Sequence, residues 1–527
     1  MKKNVIFFNL LVIALILFFT GCSLPGSDPI SEKEVTKTDT AEVNALLDNN
    51  LSKAPMTKYP AGLIYASKEA HNIDIASEYK EWKKHYLTTS GCPNDGMRIQ
   101  RDAATNYDTV SEGIGYGMLL AVYMSDKKTF DQLYNYCEAH FVSSSIPLMH
   151  WKVDADGNNV SEFNDYKKET KPITIGIGYA GYTVYPKSVA IVPHGLVYFN
   201  KSTGAVFIFP TEAELKAKNK DLFKKLKENF DNKSNYYLGA TYDRKLGSAT
   251  DADADIAAAL CFAAKKWNSS TYSSEAAKMI KAIKQNDFDG YFIKNGSLWG
   301  GQEGWNPSYF TPAWYRIFAE HCPDQASFWN NVRDTMYKEM YIFANRSDCK
   351  LWPDWCNTSN GIPQKCTISD RFYYMPNNGA IYQKMSYNFY YDAVRVPWRL
   401  AVDYSWNGAN LGITPPSLKC LKKAIAFFKD KVTTLVDGYS VSGGAWNWSN
   451  RDGFNSAKGG KNHSTTFVAM AATTTLPGGD WTVSGNYFKE VEKTKESYES
   501  DYNYYGNTLR LLTLIYLRGN FVNLYKQ

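Results

Sequence analysis

The stretch SATDADADIAAALCFAAKKW (248–267) sets Asp251, Asp253 and Asp255 at alternate positions and then runs into an alanine-rich apolar segment. Two folds compete for it. A calcium loop of the EF-hand kind needs glycine at its sixth position and glutamate at its twelfth, and Ile256 and Phe262 stand there instead. That leaves the start of a helix. N-capping accounts for one aspartate and the helix dipole for a second. Three in five residues is more than capping asks for. Carboxylates this close must push at least one pKa upward or bind something polar.

Outward from this stretch, helical periodicity recurs at about 65–88, 112–124, 127–141, 253–267, 273–286, 311–321, 325–341, 391–404, 415–434, 463–474, 484–497 and 505–518. A dozen helices without alternating strands predict an all-α toroid or helical array rather than a parallel-sheet enzyme. Residues 158–243 break the pattern. Their first half, ITIGIGYAGYTVYPKSVAIVPHGLVYFNKSTGAVFIFP (173–210), is rich in β-branched and aromatic residues and reads as several strands. A charged helix is expected at about 211–230. The region reads as a β-rich lobe inserted into the helical body.

The N-terminus predicts export. Lys2 and Lys3 precede an apolar run from Val5 to Phe19, and Gly21 and Cys22 follow, as in a secretory signal. Cys22 directly after Gly21 resembles the lipidation site of a bacterial lipoprotein, although Phe19 stands where such signals usually carry leucine. Residues 1–21 are thus expected to be a signal peptide, 22–60 a Ser/Thr/Pro-rich tether, and 61–527 the folded body. The expected location is the cell surface, membrane-anchored through the lipid, or the secreted medium.

Composition narrows the partners. The net charge of +6 comes from scattered lysines, and the Lys-rich stretch 215–233 is interleaved with Glu and Asp, which argues for a solvated face and against nucleic acid. Aromatic residues reach 15%, with 38 Tyr and 14 Trp. Many stand beside Gly, Asn, Ser or Pro rather than in apolar runs. Such rings suit the faces of sugars in a cleft, while the rest fill the core. Cys349, Cys356 and Cys366 share one loop-like stretch in which a local disulfide fits and a zinc site does not. Cys137 and Cys261 sit among helical apolar neighbours as core thiols.

Two further motifs carry acids. In TVSEGIGYGMLLAVYM (109–124), Thr109 and Glu112 have the spacing of a capping box, so Glu112 either caps the helix or lines a cleft. Gly113, Gly115 and Gly117 cost about 1 kcal/mol each in a helix, which implies a close approach to that backbone. The spacing is not that of a dinucleotide loop or P-loop. In SYNFYYDAVRVPWRLAVDY (386–404), Asp392 lies three residues before Arg395; it is either a structural ion-pair partner or a base held ionised by that arginine. Two separated acids and an acidic cluster among loop aromatics suggest acetal hydrolysis, with one protonated carboxyl and one ionised carboxylate.

These blocks, with HWKVDADG (150–157), NPSYFTPAWYRIFA (306–319) and YYGNTLRLLTLIYL (504–517), resemble glycoside hydrolase family 8, the endoglucanase, xylanase and chitosanase group. The resemblance covers roughly 60–157 and 244–527. It implies an (α/α)6 barrel and an inverting mechanism without metal or other cofactor. It makes Glu112 the proton donor, Asp251 a ligand of the distorted sugar, and Asp392 the base of the subgroup that has Asp there. Tyr309, Tyr391 and Arg395 would arrange base and water, and Trp151, Trp299 and Tyr505 would contact sugars. The implied function is endo-acting cleavage of a β-1,4-linked polysaccharide by a monomer, with glucan the first expectation, xylan next and chitosan an alternative. A glycan-binding lipoprotein that has lost catalysis is the rival of a different class. The family usually joins the HWKVDADG and ATDADADIA blocks within a few residues; here some ninety intervene, as the inserted lobe 158–243.

Overall fold

The structure, a computed structural model, describes residues 59–61, 74–157, 159, 247–297, 300–302, 304–364, 387–408, 414–444, 460–500 and 503–527, with the backbone of short strands within 173–241 and at 367–368 and 383–384. The expected signal peptide, the lipidated Cys22 and nearly all of the tether lie outside these residues, as do Trp299, Cys366 and the helix expected at 211–230. At Tyr59 the chain is already docked: its ring stacks on Tyr516 at 5.4 Å and its hydroxyl donates to the Tyr516 carbonyl at 2.6 Å.

Twelve helices of two or more turns follow among the described residues: α1 Ile75–Tyr86, α2 Ser111–Tyr123, α3 Lys127–Ala139, α4 Thr250–Lys266, α5 Ser270–Asn286, α6 Pro312–His321, α7 Ala326–Asn345, α8 Val396–Asn407, α9 Pro416–Phe428, α10 Thr465–Ala472, α11 Trp481–Lys493 and α12 Tyr504–Leu517. They alternate in character. Odd-numbered helices are amphipathic. In α1 only Ile75, Tyr79, Trp82 and Tyr86 are buried, one stripe at helical spacing. Even-numbered helices are buried on nearly every side: α2 throughout except Glu112, α4 from Thr250 to Ala264, α12 everywhere but Tyr505. A helix apolar all round must sit inside a second layer. The even helices accordingly form an inner ring, with α2 on α4, α4 on α6, α6 on α8, α8 on α10 and α10 on α12. The odd helices form an outer ring. This is an (α/α)6 barrel.

The glycines of α2 let the inner ring close tightly. A Cβ added at Gly115 would lie 2.9 Å from the Asp255 Cβ on α4, and one at Gly113 would lie 2.7 Å from the Tyr504 Oη on α12. The close approach implied by the sequence is thus made by neighbouring helices. Buried ion pairs tie the same ring together. Asp255 accepts from Arg399 at 2.5 and 2.7 Å and from the Trp314 indole at 2.7 Å, joining α4, α8 and α6.

Between Asn159 and Gly247 the described backbone is β. A four-stranded antiparallel sheet runs in the order Tyr236–Thr241, Gly195–Asn200, Ala205–Phe209, Ile173–Thr174, and Gly176–Gly178 pairs with Tyr182–Val184 in a hairpin. The strands fall where β-branched and aromatic residues cluster in the sequence.

The helix ends differ between the rings. Four outer helices carry side-chain caps, from Asp74, Asp126, Ser269 and Asp480. None of the six inner helices does. Their N-terminal N–H groups and positive dipole ends remain for other partners.

Candidate active site

Glu112 lies in the first turn of α2, Asp251 in the first turn of α4, and Asp392 just before the short 3-10 turn Ala393–Arg395 that leads into α8. The capping-box alternative for Glu112 fails. Val110 occupies the N-cap, and the Thr109 hydroxyl donates instead to the Ile99 carbonyl at 2.9 Å. Asp251 is not a cap either, since Ala249 holds that position.

All three acids converge on one guanidinium. Arg395 Nη1 donates to Glu112 Oε2 at 2.6 Å and to Asp251 Oδ2 at 2.5 Å, while Nη2 donates to Asp392 Oδ1 at 3.2 Å. The Tyr309 ring lies 5.5 Å from the guanidinium and holds its face. For Asp392 the two alternatives left by the sequence are therefore not exclusive, because the ion pair exists and belongs to a three-acid cluster.

The electrostatics separate the acids. Burial pushes the Glu112 carboxyl up to about 7, with Arg395 opposing and the charges of Asp251 and Asp392 adding to the rise. Burial also raises Asp392, against Arg395, the Asn306 amide and the Trp355 indole, which lower it. The Asp392 side chain keeps 38% of its surface open, against 20% for Glu112 and 4% for Asp251. Water therefore reaches Asp392 most easily and favours its ionised form. A carboxyl raised to about 7 and a second, more open one on the same arginine are the kind of pair that acid–base chemistry uses.

Residues 52–170 and 218–519 match the family model described as Glycosyl hydrolases family 8. The chain belongs to glycoside hydrolase family 8. It is 34% identical over 478 residues to Endoglucanase 2 of Ruminiclostridium josui, covering 89% of this chain and 76% of that protein. It is 31% identical over 477 residues to Endoglucanase A of Acetivibrio thermocellus, covering 89% and 74%. The structure of a beta-1,3-1,4-glucanase from Paenibacillus sp. X4 superposes with a TM-score of 0.59 at 22% identity, covering 88% of this chain and 97% of that one. The stretch that the family model leaves unmatched, 171–217, falls within the β-rich excursion.

Around the three acids of this family 8 hydrolase stand most of the aromatics singled out in the sequence. Trp151 is half-buried. Its carbonyl accepts from the Ser111 N–H at 2.9 Å and its N–H donates to the Gly247 carbonyl at 3.1 Å, so it lies beside the roots of both α2 and α4. Tyr505 donates to the Tyr391 carbonyl at 2.9 Å, and Tyr391 reaches the Ser464 hydroxyl at 3.4 Å. Those contacts link the N-terminal ends of α12, α8 and α10. Cys349 is a free thiol, as are the buried Cys137 and Cys261.

The aspartates of 251–255 divide by helical position. Asp251 and Asp255, four apart, face Arg395 and Arg399 on α8's side, whereas Asp253 turns the other way, onto Asp287 at the end of α5. Burial and mutual repulsion raise Asp253 well above the carboxylate range, and burial raises Asp287 to about 7. The Ser248 hydroxyl, 3.5 Å from Asp287 Oδ1, is the donor at this pair, and burial with mutual repulsion favours one proton held between the two carboxyls. The sign follows. Between an unfolded value of about 4 and a folded value of about 7, the folded state binds the extra proton, so stability is full below that window and falls as pH rises through it. Asp287→Asn gives Asp253 a permanent donor and should flatten that fall. Melting temperatures from pH 5 to 8.5 test this, and an unchanged slope in the variant would exclude the pair as its source.

Sequence reasoning missed Asp287, Asn306, Asp354 and Trp355. The first is a partner that only folding supplies. Trp355 did carry a signal, an aromatic beside Pro353 in a loop-like stretch, but the neighbouring cysteines claimed that stretch.

Proposed function

We propose that this chain is an inverting, endo-acting glycanase that cleaves β-1,4-linked glucan, with xylan the next substrate. One observation carries the reading: three carboxylates at or just before the N-terminal ends of three inner helices meet on Arg395, with burial lifting Glu112 to about 7 while Asp392 is the most open of the three. Glu112 donates its proton to the leaving glycosidic oxygen. Asp392 takes a proton from the water that attacks the opposite face of the sugar, with Arg395, Tyr309 and Tyr391 ordering base and water. Asp251, fixed on Arg395, holds the sugar at the cleavage point in its distorted form. Trp151, Tyr505 and, outside the described residues, Trp299 are the sugar-contacting aromatics of this reading. The relatives named endoglucanase support glucan, and a relative named reducing end xylose-releasing exo-oligoxylanase, 24% identical over 299 residues, keeps xylan in view.

Hydrolysis followed by proton NMR tests the mechanism. The first product from a β-linked chain must be the α-anomer, and β-anomer appearing first would refute inversion. Run in parallel on carboxymethylcellulose, mixed-linkage glucan, xylan and chitosan, reducing-end release ranks the substrates. A rapid drop in viscosity at low reducing-end yield marks endo action. No release from any of them would favour the glycan-binding rival.

A further inference from the structure

We propose that Asp354 and Trp355 are positioning residues for Asp392, one fixing its backbone and the other aiming its carboxylate; this rests on the reading of Asp392 as the base. Asp354 Oδ1 accepts from three consecutive-turn N–H groups, those of Tyr390 at 3.1 Å, Asp392 at 3.1 Å and Ala393 at 2.8 Å. Its own N–H donates to the Asn388 carbonyl at 2.8 Å. One buried carboxylate thereby sets the backbone that presents the base. Trp355 then donates its indole N–H to Asp392 Oδ2 at 3.2 Å, on the oxygen that Arg395 does not take.

The chemistry suits that task. An indole N–H donates and never accepts, so it rewards only the carboxylate's lone pairs and favours the ionised form that a base needs. Trp355 is half-exposed, unlike the fully buried Trp305, Trp314, Trp352 and Trp398, so core packing does not account for its place. Its ring meets Tyr309 edge-on at 6.1 Å, and Tyr309 in turn faces Arg395. The loop is held from the other side as well. Cys356 and Trp305 exchange backbone hydrogen bonds at 3.0 Å each, which sets Trp355 and Asn306 beside the same carboxyl. Ser308 occupies the Asn306 Oδ1 through its N–H at 2.9 Å and its hydroxyl at 2.7 Å, so the Asn306 side chain is fixed, and it lowers Asp392 against the rise from burial.

The test uses the full chain on carboxymethylcellulose. Trp355→Phe keeps a ring and removes the donor. It should lower kcat about tenfold with KM changed less than about twofold. It should also move the acidic limb of the kcat/KM profile to higher pH, because Asp392 loses a bond that favours its charge. Asp354→Ala should lower kcat at least as far, and Asp354→Asn, which retains a carbonyl acceptor, should restore most of it. A Trp355→Phe profile with an unmoved acidic limb overturns the inference, as does a rise in KM alone, which would make Trp355 a sugar contact. If Trp355→Phe fails to fold, equal rates for Asp354→Ala and the wild type overturn it. Asp392→Asn separates the two levels: its inactivity upholds the base reading whatever the positioning variants do, and wild-type turnover in it would remove that reading itself.

Discussion

Replacing Glu112 by glutamine is expected to lower turnover on polysaccharide by about three to four orders of magnitude, the upper range for losing a general acid. Glutamine keeps the size and an acceptor for Arg395 Nη1, which sits 2.6 Å from Glu112 Oε2, so the fold and KM should change little. What disappears is the proton. The loss should shrink sharply on an aryl glycoside whose phenolate departs without protonation. The pH profile adds a second readout. Donation needs the protonated carboxyl, so wild-type kcat/KM must fall as pH rises through about 7, the value to which burial lifts Glu112. In the variant that basic limb should vanish from whatever rate remains. A wild-type rate on polysaccharide, or an unmoved basic limb, would take the role of acid away from Glu112.

Both the fold and the acids were legible because both rest on local pattern. The twelve helices follow from apolar periodicity, and the split into rings is present in composition: ASEYKEWKKHY in α1 is striped, whereas IAAALCFAA in α4 is apolar throughout. Start positions slipped by a few residues at capped and uncapped ends alike. Helix α4 begins at Thr250, so the three aspartates lie inside its first turns rather than ahead of them. Roles were less legible than positions. Glu112 with Thr109 has the spacing of a capping box, and only the structure, with Val110 at the N-cap and the Thr109 hydroxyl turned to the Ile99 carbonyl, removes that alternative. The same holds for Asp253, whose partner Asp287 is 34 residues away on the end of another helix. Partnerships that cross the inner ring have no period and no spacing, so sequence reading meets them as surplus charge. The inner-helix ends carry the corresponding physical logic. With no side-chain caps there, uncapped N–H dipoles and one buried arginine gather carboxylates at one end of the barrel.

Arg395 is where that gathering is most exposed to test. It is 1% exposed and bonds Glu112, Asp251 and Asp392 together, with no other cation that close to Asp251 among the described residues. Arg395→Leu removes the charge and leaves three acids in one buried cleft. Breaking a buried ion pair from one side costs about 3–5 kcal/mol, and a shared partner places this case at the upper end. The penalty should depend on pH with a definite sign. Without the guanidinium, which opposes the rise at Glu112 and Asp392, those two carboxyls move further above their unfolded values of about 4, so the folded variant takes up protons. Its stability is therefore retained at low pH and lost as pH rises, which means a large deficit against wild type at pH 7.5 and a small one at pH 4.5. Turnover should drop by at least about a thousandfold, since the proposed acid, base and sugar ligand lose their common anchor. Arg395→Lys distinguishes charge from geometry. An ammonium restores much of the stability at pH 7.5, but it lacks the planar fork that reaches Glu112 and Asp251 from one nitrogen and Asp392 from the other, so activity should stay low. Urea unfolding at the two pH values decides the matter. A deficit of equal size at both would mean that Arg395 holds the barrel by packing, and that the three acids do not need it to coexist.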